Sequence, residues 1–128
     1  MNIYLALAAG IAFLTGIVHS TMGELLIFRR LRRKNNSADG QNPGLPIAHQ
    51  RIIWASWHMV SVFGWGFGAI LLWLSFSPEN SMIAELVEYT IIFSMFIASM
   101  LVLFGTRGKH PGWIALLAIS VILTFNLF

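Results

Sequence analysis

The chain has 128 residues, of which 57% are hydrophobic and only 10% charged, with a mean hydropathy of +0.75; a water-soluble domain carries roughly 25% charged residues, so this chain is built to face lipid. Its length suits one small domain, and it lacks cysteine, which excludes disulfides, thiolate nucleophiles and cysteine-ligated metal or iron–sulfur sites. The formal net charge of +3 is concentrated in two short basic stretches, and no nucleic-acid-binding motif accompanies them.

The first predicted helix covers 3–28. Small residues recur every fourth position at Ala8, Ala12, Gly16 and Ser20, forming a ridge that lets another helix approach closely. No Lys or Arg precedes this apolar run, so it reads as a retained span with its N-terminus outside rather than a cleaved leader. His19, Ser20, Thr21 and Glu24 stand near its end, and five basic residues follow within Arg29–Lys34. They open a Gly/Pro/Asn/Ser loop, 29–48, which the positive-inside rule places in the cytoplasm.

The second predicted helix covers 52–76 and can start as early as Ile47. Arg51, Trp54, His58, Ser61, Trp65 and Gly68 follow one another in steps of three and four, which puts them on one stripe. Such a polar and small-residue stripe faces protein in a membrane helix, because lipid satisfies neither a hydroxyl nor an imidazole. Trp54 and Trp65 read as packing residues on it, with Ser20 and Ser61 as hydrogen-bonding partners between helices. Gly64 and Gly68 are expected at a close helix contact, within the chain or between copies.

A turn at Pro78–Asn80 leads to the third predicted helix, 82–104, with Ser81 as its cap and Glu85 and Glu88 near its start, where acidic residues suit the helix dipole. This connection has no Lys or Arg and belongs outside. The second basic loop, 105–111, contains Arg107, Lys109 and His110 and belongs inside. Pro111 suits the first turn of the last helix, 112–128. The expected architecture is all-α: one four-helix transmembrane bundle with up-down topology and both termini on the outer, periplasmic side. The expected location is a bacterial inner membrane. The expected partners are the lipid bilayer and either further copies of the chain or a larger membrane complex.

All four histidines fall toward the basic-loop side. His19 lies ten residues before Arg29, roughly 15 Å of helix. His58 lies seven residues after Arg51, roughly 10 Å along an antiparallel neighbour, so the two imidazoles are expected at similar depth. Three chemistries suit this placement. His19 and His58 are a candidate axial pair for haem b. With Glu24 and His49 they are a candidate ligand set for a divalent metal ion. Either histidine is also a candidate general base beside Arg51, Arg107, Lys109 or His110, which would hold an anionic, amphipathic substrate at the inner leaflet. The alternative is an accessory subunit in which these groups only set helix packing, with Glu24 and Arg51 as an ion pair.

In architecture alone, the four short spans resemble small multidrug transporters, and the basic loop between the first two spans is similar to that of membrane glutathione-transferase-like trimers. The mid-span carboxylate of the former is absent, since Glu24 stands near the end of its span. The arginine- and asparagine-bearing second-span motif of the latter is absent from HQRIIWASWHMV, residues 49–60. Likeness of architecture says little about function.

Overall fold

A computed structural model describes residues 1–36, 44–77 and 81–127. One long helical rod opens the chain: α1 (Ile3–Met22), a π-helical turn (Gly23–Phe28) and α2 (Arg29–Asn36). Then come α3 (Ile47–Phe76), α4 (Met82–Gly105) and α5 (Gly112–Leu127). The first rod, α3 and α4 are long and apolar enough to cross a membrane, and α5 is a shorter apolar helix.

The first rod does not stop at Phe28, where the basic run was expected to begin a loop. Arg, Leu and Lys are all good helix formers, and neither Gly nor Pro interrupts 29–36, so the helix continues through the basic run. The expected Gly/Pro loop at 37–43 and the turn at Pro78–Asn80 lie outside the described residues. The third helix is capped as expected: the Ser81 hydroxyl accepts from the Ala84 N–H at 3.1 Å. The connection to α5 turns through Arg107 (φ 52°) and Gly108 (φ 74°), and the Gly108 N–H donates to Leu103 O at 2.7 Å, closing the end of α4 as left-handed caps do. Pro111 stands immediately before α5 rather than within its first turn.

The small-residue ridge of α1 meets the stripe of α3. Ala8, Ala12 and Gly16 are buried, as are Ser61 and Gly68. A Cβ on Gly16 would fall 2.3 Å from Trp65 Nε1, so only glycine leaves room for that indole, whose N–H donates to Phe13 O at 3.3 Å. Gly68 returns the contact, with its Cβ position 3.1 Å from the Phe13 ring. Serines join α4 to α5: Ser99 Oγ donates to Trp113 O at 2.8 Å and Ser120 Oγ to Ile92 O at 3.2 Å. Leu5, Ala9, Leu71, Ile91, Ile119 and Leu123 fill the core between the four rods.

α1 packs on α3 and α5, and α5 packs on α4, but α3 and α4 scarcely touch. The bundle therefore has one open seam. At one end it is closed by a polar clasp. The Asn2 N–H donates to Ser75 O at 2.7 Å, its side-chain amide donates to Asn126 Oδ1 at 2.6 Å, and the Asn126 amide donates to Glu88 Oε1 at 2.7 Å. Glu88 is only 5% exposed.

Candidate functional site: the histidine end

The π turn sits where α1 passes Trp57. A Cβ on Gly23, its first residue, would fall 2.0 Å from Trp57 Nε1, so the glycine makes the seat for the indole, whose N–H donates to His19 O at 3.0 Å. The wider turn carries Glu24 and Phe28 to the α3 side. Single π turns inside α-helices are frequent at functional sites.

The two deep histidines have different surroundings. His19 is stacked on Trp57, with ring centroids 4.2 Å apart and planes 6° from parallel, and the His110 ring stands edge-on to it at 6.4 Å. His58 packs against Trp54 at 4.6 Å and Phe28 at 6.0 Å. Ser20 Oγ donates to Ser61 Oγ at 2.9 Å and lies 2.9 Å from His58 Nδ1. Ser20 thus links Ser61 to His58 Nδ1, and Nε2 is the ring nitrogen left outside this chain of hydrogen bonds. The Nε2 atoms of both His19 and His58 are buried without a hydrogen-bond partner, and an unpaired buried polar atom costs about 1–3 kcal/mol.

His19 and His110 border a cavity of about 340 Å³ between α1, α3, α4 and α5. Its walls are largely apolar (Val60, Phe67, Met95, Leu116), with Thr15, Ser61 and Ser94 as further polar groups. Gly64 lines this cavity, and nothing lies within 4 Å of where its Cβ would be. Among the described residues Gly64 thus makes no close helix contact, because the open seam leaves α3 without a neighbour there; Gly68, a turn further on, does make one.

The remaining expected site residues divide by depth. Glu24 does not pair with Arg51. The continued helix brings Arg32 to it as ion-pair partner, and the Trp54 N–H donates to its other oxygen at 3.2 Å. His49 is exposed on the first turn of α3, nine residues and so roughly 13 Å before His58, which takes it out of a shared ligand shell. Among the described residues no group of three or more His, Asp or Glu side chains is placed to hold a metal ion. Arg51 lines a separate pocket with Arg32, and exposed Arg107 is not on its wall. His110, expected near the surface as an anion contact, borders the cavity instead. The Gly112 N–H donates to its Nδ1 at 3.1 Å, which leaves its proton on Nε2.

Two groups were missed by sequence reading. Trp57 is the platform under His19, and it precedes Ser61 by four residues, so helical spacing already placed it at the edge of the stripe. Asn126 is a lone amide in an apolar last helix, a residue type that seeks a buried partner there. No family model, curated protein or solved structure matches this chain.

Proposed function

We propose that this chain is an integral protein of a bacterial inner membrane, up-down in topology with both termini periplasmic, which binds a small amphipathic molecule in the cavity beside His19. The basic residues of α2 and of the α4–α5 loop support the orientation. The meeting of Asn2, Ser75, Glu88 and Asn126 supports alternation of the helices. One observation carries the binding reading: a 340 Å³ cavity with largely apolar walls has at its border an imidazole whose Nε2 is buried and unpaired. An apolar body suits the walls, and a polar head group suits the His19 end, where a turn of the ring would bring Nε2 to the partner it lacks. Entry is through the α3–α4 seam, directly from the bilayer.

The test is to extract the protein as purified and identify what it carries by mass spectrometry. Gly64→Leu is the decisive variant, since a Cβ there meets nothing within 4 Å and the side chain beyond it takes up cavity space. The expected result is loss of the bound molecule with unchanged thermal melting. Unchanged content in a folded Gly64→Leu protein overturns the reading.

A second reading is favoured by the second unpaired nitrogen, on His58. His19 and His58 would there be ligands to haem b or a metal ion, a group that supplies redox or Lewis-acid chemistry when bound. The donor set fits in part only: His19 borders the cavity, whereas His58 is not on its wall, and zinc ordinarily takes three protein ligands. A Soret band, or stoichiometric metal in the protein as purified, would move the assignment to this reading.

A further inference from the structure

A second pocket, of about 250 Å³, lies between the end of the π turn, α2 and the first turns of α3. One part of its wall is apolar, from Phe28, Leu31 and Ile47, and the other carries Arg32, Arg51 and Trp54. Two guanidinium groups facing one pocket repel each other unless an anion stands between them. Glu24 answers one of them by pairing with Arg32, which still has unused N–H donors. No ion pair or hydrogen bond to the Arg51 side chain is present among the described residues, so its planar fork is free for a phosphate.

The apolar wall narrows the ligand. A small hydrated anion gains nothing from Phe28, Leu31 and Ile47, whereas the phosphate of a phospholipid brings glycerol and the first methylenes with it. Depth points the same way: the pocket stands where the apolar rod gives way to the five cations of Arg29–Lys34, the level of lipid head groups in a cytoplasmic leaflet. A topology signal needs only charge in the loop. It does not need Arg51, from another helix, to share a pocket with Arg32.

We propose that this pocket holds the phosphate of an anionic phospholipid, with Arg51 as its principal contact and Arg32 as its second. The site is separate from the cavity beside His19, and Arg51 does not border that cavity, so either assignment can fail without the other.

The test uses the full chain, delipidated in detergent and titrated with phosphatidylglycerol, phosphatidylcholine or inorganic phosphate, with adducts counted by native mass spectrometry. Phosphatidylglycerol is expected to bind well ahead of phosphatidylcholine. Arg51→Gln should weaken it about tenfold, as loss of one charge-assisted pair does. Arg30→Gln, exposed on α2 and off the pocket wall, should change it little. Equal binding of the two lipids overturns the proposal, and so do equal losses in the two variants, which would mean diffuse charge. Displacement of phosphatidylglycerol by inorganic phosphate at matching concentration would make soluble phosphate the ligand and overturn the lipid assignment. If Arg51→Gln does not fold, Arg51→Lys, which keeps the charge but not the fork, should show a partial loss; full affinity in that variant overturns the role given to Arg51.

Discussion

The two ends of this bundle treat buried polar groups in opposite ways. At the clasp end, Glu88 accepts from Asn126, Asn126 accepts from Asn2, and the Asn2 N–H reaches Ser75. At the histidine end, Ser20, Ser61 and His58 form a comparable chain, yet it stops at an open nitrogen, and His19 has another. Polar groups that only pin helices together end in partners from the same chain. On the reading proposed above, the atoms left over at the histidine end mark a site, and the closed clasp marks a scaffold.

The largest expected effect comes from crowding the platform of the histidine end. Gly23→Leu drives a side chain into the Trp57 indole and should destabilise the protein by about 1–3 kcal/mol, the range for overpacking. It should also abolish ligand retention, because His19 loses the ring it stacks on. Thermal melting and mass spectrometry of the same sample check both. A variant that melts normally and keeps its ligand would show that the platform is incidental.

Breaking the clasp should be nearly as damaging to stability but silent in function. Glu88→Ala removes the acceptor of Asn126 and should cost about 1–2 kcal/mol, with the bound molecule retained. Replacing both partners, Glu88→Leu with Asn126→Leu, should recover much of that loss, since the buried carboxylate and its amide partner go together and the exposed Asn2 amide, which loses Asn126 as acceptor, turns to water. A double variant no more stable than Glu88→Ala, or one that loses the ligand, would erase the distinction between the two ends.

The smallest stability effect is expected at the open nitrogen itself. His58→Gln keeps a donor and an acceptor for Ser20, so the fold should change by under about 1 kcal/mol. What the protein carries is the sharper readout. Loss of a Soret band or of bound metal in a folded His58→Gln protein would establish the ligation reading, and identical content would assign His58 to packing.

Periodicity made the helices and the facing surfaces of α1 and α3 legible. Ala8, Ala12 and Gly16 on one side and Ser61, Trp65 and Gly68 on the other meet as their spacing implies. The π turn was not legible, because Gly23–Phe28 has the composition of an ordinary membrane helix and the indole seated against Gly23 comes from another element. Continuation of the rod through Arg29–Asn36 was masked by the topology rule, which reads charge as loop although the residues favour helix. The pairing of Glu24 with Arg32 depended on that continuation: eight residues bring two side chains onto one side of a rod only if the rod is unbroken. The open seam between α3 and α4, and hence the cavity, depends on how four helices share their neighbours, and no single helix records it.

The four rods are also unequal in height. On the basic side α5 starts at Gly112, just past the His110 ring that stands against His19, whereas α3 starts at Ile47, ten residues before the Trp57 ring stacked on His19, so α3 reaches about 15 Å further out. On the α5 flank of that side the head groups dip inward, as bilayers do beside spans of unequal reach. Because α5 begins two residues after His110, the dimple on the basic side would draw the polar boundary down toward the ring that stands edge-on to His19.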